Sequence, residues 1–186
     1  EMKKTKFIIL MLLSCILLIC GCGSNTQQKK TQDTEENNLP KVYFTKEITS
    51  ESLMRIYEAL GREAKGNKVA IKVSTGEPGG HNFLKPALIK DLVQSVNGTI
   101  IECNTAYGVN RASTEDHLKA ARDNGVMDIA DVDIMDVDCE VDLSVTGGTH
   151  LTRDLVGQNV MNYDFTVLLS HFKGHEMAGS AGAITK

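Results

Sequence analysis

From residue 49 onward, short β-branched runs alternate with stretches of helical period, an order that restricts the chain to helices stacked on a largely parallel sheet. Leu53, Ile56, Tyr57, Leu60 and Ala64 recur at helical spacing behind Thr49 and Ser50, a capping pair, and Gly66 ends the run. Residues 68–73 read as a strand that opens into a glycine-rich loop over 74–82. Pro86 starts a helix whose Leu88, Ile89, Leu92, Val93 and Val96 share one face, with Gly98 as its terminator. Residues 99–103 form the next strand, 104–112 a polar loop, and Ser113 begins a helix that Gly125 closes. Further strands are expected near 132–135, over 140–145 and over 163–170, the last being the most apolar and so placed at the centre. The fold class is α/β: a Rossmann-like, mostly parallel sheet flanked by helices.

Ahead of this domain stand Lys3, Lys4 and Lys6, then residues 7–20, apolar but for Ser14, then Gly21-Cys22-Gly23. A charged head, an apolar run and small residues at the cut are the marks of a secretion signal. As a helix the run spans roughly 21 Å, short of the roughly 30 Å of hydrocarbon in a bilayer. Ile19, Cys20, Gly21 and Cys22 resemble a bacterial lipobox, in which the cysteine thiol receives the lipid, so Cys22 is the expected lipidation site. Residues 1–21 are then a lipoprotein signal peptide and 22–40 a disordered linker, since 23–40 hold no large apolar residue except Leu39. Residues 41–186 are the α/β domain. Glu1 precedes Met2, and the chain stops at Lys186 within a Gly/Ala-rich stretch, so a longer native chain is expected. The expected address is extracytoplasmic, lipid-anchored to the bacterial cell membrane.

Loss of Lys3, Lys4, Lys6 and Glu1 with the signal takes the net charge from −4 to −6, which argues against nucleic acid as a partner. Cys103 and Cys139 remain as thiols; no C-x-x-C pair is present, and a disulfide between the two stays open. The aspartates between 131 and 142 do not fit a calcium loop and read as the solvated side of edge strands.

In parallel α/β sheets, ligands lie at the carboxyl ends of the strands. Those ends carry four of the five histidines, and His117, in mid-helix, is the exception. His171 and His175 follow the most apolar strand and, with His150, are candidate metal ligands, imidazole being a good donor to zinc, nickel, copper or iron. His81, Asn82 and Lys85, at the entry to a helix, suit a phosphate or carboxylate, and Asn104 and Lys173 share the same rim as cofactor-binding candidates. Each of these loops also reads as a plain connection.

Val69-Ala70-Ile71-Lys72, Gly79-Gly80-His81-Asn82, Glu102-Cys103-Asn104-Thr105, Gly147-Gly148-Thr149-His150 and Ser170-His171-Phe172-Lys173-Gly174-His175 together resemble the domain of unknown function 362 family. The resemblance implies an α/β domain whose longer members often continue into a ferredoxin-like module, so an iron–sulfur cluster is expected only in a longer native chain. Residues 175–186 are similar to the histidine, glycine and lysine motif of nickel-pincer lactate racemases. That likeness implies His175 as acid/base catalyst, Lys186 as the attachment point of a cofactor, and a cofactor phosphate facing Asn82 and Lys85. The family's lysine falls one position earlier, at Thr185, and Ser180 and Ala181 replace an aromatic residue and a glycine. The functional expectation is a membrane-anchored domain binding a metal or phosphate-bearing cofactor for redox or racemase-like chemistry. The alternatives are a non-catalytic lipoprotein for a small anionic solute, or an inactive remnant.

Expressed in a bacterial host, the chain is expected to incorporate a labelled fatty acid and to sediment with membranes, and Cys22→Ala to abolish both. Labelling that survives Cys22→Ala would refute the assignment.

Overall fold

The computed structural model describes residues 39–106, 110–176 and 178–183. The chain divides into two units, Glu1–Val42 and Tyr43–Lys186, and every element below lies in the second. Cys22 and most of the expected linker lie outside the described residues. No helix among the described residues is long and apolar enough to cross a membrane.

Helix α1, Ser50–Ala59, starts on a capping box: the Thr49 hydroxyl accepts from the Ser52 amide at 3.1 Å and the Ser52 hydroxyl accepts from the Thr49 amide at 3.2 Å. It stops before Ala64, because Gly61 turns the chain with a φ of +62°. Strand β1, Val69–Lys72, leads to α2, Pro86–Ser95, with proline in its first turn where no amide partner is lost. Asn97, at φ +48°, makes the turn after α2, and Gly98 is already the first residue of β2, Gly98–Glu102. A Cβ on Gly98 would meet Ile71 Cγ1 at 2.5 Å, so its smallness serves strand packing rather than helix termination. Helix α3, Thr114–Asp123, is capped by the Ser113 hydroxyl, which accepts from the Asp116 amide at 3.2 Å.

Strand β3, Val132–Ile134, and strand β6, Phe165–Leu168, complete a four-stranded sheet ordered β3-β2-β1-β6, with every pairing parallel. Strand β6, expected at the centre, is instead the outer strand, and Leu168 is 44% exposed. Its apolar residues serve one buried side, whereas Val69, Ala70 and Ile71 of β1 are enclosed on both faces. Two antiparallel hairpins flank the sheet: β4, Glu140–Ser144, with β5, Arg153–Gly157, and β7, Lys173–His175, with β8, Gly179–Ala181.

The two faces of the sheet are unequal. One carries Val69, Ile71 and Ile100 against side chains of all three helices, Leu92 and Val93 of α2 among them. The other holds Ala70, Ile101 and Met135 as its enclosed residues among those described, with Cys103, Val160 and Tyr163 beside them. On that thin face the Asp133 carboxylate accepts from the Tyr163 hydroxyl and the Asn159 amide, each at 2.8 Å, tying β3 to the chain before β6. Burial, with Asp133 alongside, pushes the Tyr163 hydroxyl above its ordinary range. Asp133 is therefore structural rather than part of a solvated edge.

Gly157 ends β5 in contact with the backbone of the neighbouring segment. A Cβ there would lie 2.6 Å from the Met135 carbonyl carbon and 2.7 Å from the Asp136 nitrogen, neither of which has room to shift. Gly157→Ala is expected to lower stability by about 1–3 kcal/mol, the usual range for overpacking. Gly174→Ala, which meets nothing within 4 Å, is the control. Equal denaturant midpoints for the two variants would contradict this packing.

Candidate functional site

The carboxyl ends of β1 and β2 deliver two opposite charges to one place. Lys72 closes β1 and Glu102 closes β2, and Lys72 Nζ donates to Glu102 Oε2 at 2.6 Å. Glu102 is 6% exposed, and its carboxylate accepts from three more donors: the Cys103 and Thr75 amides, each at 3.3 Å, and Arg111 Nη1 at 3.5 Å. A buried carboxylate is tolerable only with such a complement of partners, and removal of one partner from a buried ion pair costs about 3–5 kcal/mol. Arg111, 8% exposed, also donates from Nη2 at 2.5 Å and Nε at 3.0 Å to Glu77. It thereby fastens the loop after β1 to the loop after β2.

The next layer comes from α3. His117 is fully buried, with Nε2 3.0 Å from the Thr75 hydroxyl and Nδ1 enclosed without a partner among the described residues. Burial holds its pKa below the ordinary histidine value, so the folded protein keeps a neutral ring. The Asn124 side chain, just past α3, donates to the Thr75 carbonyl at 2.9 Å and the Glu77 carbonyl at 3.3 Å. Gly76 sits at φ +85° with Phe83 folded over it, where a Cβ would lie 2.6 Å from the ring. The loop is thus closed on itself.

Beside this hub, on the thin face, opens a cleft of about 450 Å³. Lys72, Cys103, Asn104, Asp136, Glu140 and Asp154 line it, with the apolar side chains of Ile101 and Met135. Asp136 accepts from the Asn104 amide at 3.0 Å, and Asn104 Nδ2 donates to the Thr114 hydroxyl at 3.0 Å. Asn104 Oδ1 is enclosed without a partner among the described residues. Burial, with Asp136 next to it, pushes the Cys103 thiol up, so this sulfur stays protonated at neutral pH. Since Lys72 is engaged by Glu102, the carboxylates of Asp136, Glu140 and Asp154 set the sign of the cleft.

The residues singled out from the sequence fall in several places. Asn104 lines the cleft. His81 and Asn82 are exposed on the loop after β1, and the Lys85 ammonium lies 3.9 Å over the Phe83 ring at the start of α2. His150 is exposed in the β4–β5 turn, His171 is half-buried after β6, and Lys173 is exposed on β7. His175, half-buried on β7, accepts at Nδ1 from the Ala178 amide at 3.2 Å. Among the described residues no three His, Cys, Asp or Glu side chains gather as a metal-ligating group, so His150, His171 and His175 do not converge. Lys186 lies outside the described residues. Cys103 and Cys139 are free thiols. The sequence reading missed His117, Arg111 and the Lys72–Glu102 pair; the available signal was a lysine and a glutamate closing two otherwise apolar neighbouring strands.

Residues 69–186 match the family described as Domain of unknown function (DUF362). No curated protein and no solved structure matches the chain. The match spans well over half of the sequence, and the chain belongs to this family.

The neutral His117 makes stability depend on pH. The unfolded chain binds a proton near the ordinary value of 6.5 while the folded ring resists it, so stability falls as pH drops through 6.5 toward the depressed folded value. The slope reaches at most about 1.4 kcal/mol per pH unit. His117→Gln is expected to flatten the slope in denaturant unfolding between about pH 7 and 5.5; an unchanged slope would exclude His117 as its source.

Proposed function

We propose that this member of the DUF362 family is an extracytoplasmic, lipid-tethered domain that binds a small cofactor-like molecule in the cleft at the carboxyl ends of β1 and β2, for redox or racemase-like chemistry. The observation that carries the reading is Asn104 Oδ1, an acceptor enclosed in the cleft wall with no partner among the described residues. A buried polar atom left unpaired costs about 1–3 kcal/mol, which a ligand donor at that position would recover. The carboxylates of Asp136, Glu140 and Asp154 favour a ligand that presents a metal centre or another cationic group over a bare phosphate. The Lys72–Glu102–Arg111 hub behind the cleft gives such a ligand a rigid wall. In this reading His175 is the candidate proton carrier. Its role, and that of Lys186, rests on the sequence likeness.

A second reading, non-catalytic capture of a small anionic solute, is favoured by one feature. Helix α2 begins with no side-chain cap on its amides and with Lys85 at its N-cap, an arrangement that attracts a phosphate or carboxylate.

Native mass spectrometry of the purified full chain, with metal content measured on the same sample, separates the two. The first reading expects a retained non-covalent mass, bearing metal or a cationic group, that Asn104→Ala and Asp136→Ala release and Lys85→Ala does not. A metal-free anion released by Lys85→Ala alone would establish the second reading. Metal lost on His171→Ala and His175→Ala, with Asn104→Ala silent, would move the site to the β7–β8 end.

A further inference from the structure

A cavity of about 300 Å³ opens between α1, α2 and the end of β6, and Leu168 is the one lining residue it shares with the acidic cleft. Its walls are apolar: Leu53, Ile56 and Leu60 from α1, Leu84 and Leu88 at the start of α2, and Val167 from β6. Two of the described lining residues carry a side-chain oxygen. The Tyr57 hydroxyl is committed, accepting from the Ala64 amide at 2.9 Å. The other is Ser170 Oγ, enclosed and without a partner among the described residues.

We infer that this cavity binds a single aliphatic chain ending in one neutral oxygen head, an alcohol or an acyl ester, with the head hydrogen-bonded to Ser170. The volume sits at the lower end of the range for small-molecule sites, roughly 300–1,000 Å³. Sugars, nucleotides and peptides each bring several polar groups that would meet hydrocarbon and lose their water without return. A carboxylate head fares no better, because no cationic side chain lines the cavity. An apolar tail with one hydroxyl or carbonyl satisfies the Ser170 oxygen and covers Leu60 and Leu168, which stand 53% and 44% exposed at the walls. This site shares Leu168 with the cleft of the proposed function but none of that cleft's polar residues.

Isothermal titration of the full chain with 1-decanol tests it. One saturable site per chain is expected, with weaker uptake of decanoate. Ser170→Ala is expected to weaken decanol about 2- to 10-fold, the worth of one neutral hydrogen bond. Leu60→Asp, at a position exposed enough to leave folding intact, is expected to weaken it further, and thermal melts of both variants confirm that they fold. Vesicles of phosphatidylglycerol, titrated in parallel, distinguish a free amphiphile from membrane lipid: decanol binding without vesicle binding assigns the free molecule, and decanol displaced by vesicles assigns the membrane ester. No saturable decanol site, decanol affinity unchanged in both variants, or binding to vesicles alone would overturn the inference.

Discussion

The Glu102 carboxylate governs how the functional end of this domain is put together. It lies almost out of reach of water and is made tolerable by four donors from three stretches of chain: the end of β1, the loop that follows β1, and the segment after β2. Because a charge without compensation cannot stay in such a place, the loops have little freedom to rearrange independently. Arg111 extends the constraint outward to Glu77, and Thr75 passes it on to His117 in α3. One acid thereby couples three elements that are far apart in sequence, and the acidic cleft inherits its inner wall from that coupling.

Polar groups outside the hub show the same economy. Thr75 is enclosed, yet its amide, hydroxyl and carbonyl all have partners, in Glu102, His117 and Asn124. Against this background the enclosed oxygens without partners, on Asn104 and Ser170, stand out. Each belongs to a residue that borders a cavity, and the two cavities have Leu168 alone in common. An unpaired buried acceptor is seldom kept in a folded protein unless something else meets it, which is why the cleft reading and the inference about the apolar cavity begin from these atoms rather than from the histidines.

The alternation of short apolar strands and capped helices was enough to read β1, α2, β2 and α3 to within a few residues, since burial and capping are local properties of sequence. The apolar run of β6 points to the centre of the sheet, yet the strand is at its edge, because apolar content reports how much of a strand is covered, not how many neighbours it pairs with. Strand β5 opens with Arg153-Asp154, and β7 with Lys173-Gly174, so neither carries the β-branched signature that marks a strand. The carboxyl-end location of the site was legible from topology. Its chemistry was weighted toward histidines on exposed loops, whereas the ion pairs depend on the register between β1 and β2, which composition does not encode. His117 lies mid-helix and so outside the loop pattern of the other histidines, although a helix face turned toward two strand ends is as good a place for a buried imidazole as any loop.

The unequal covering of the two sides of the sheet has a consequence for motion. Three helices clamp one side, while a hairpin and a short 3-10 turn shield the other with few enclosed side chains. Opening the lightly covered side sacrifices little apolar contact, so amide protons in β4 and β5 trade with solvent sooner than those of β1 and β2. A molecule settling over Asn104 would therefore draw its ordering cost from the part of the domain that is cheapest to loosen, leaving the helical half undisturbed.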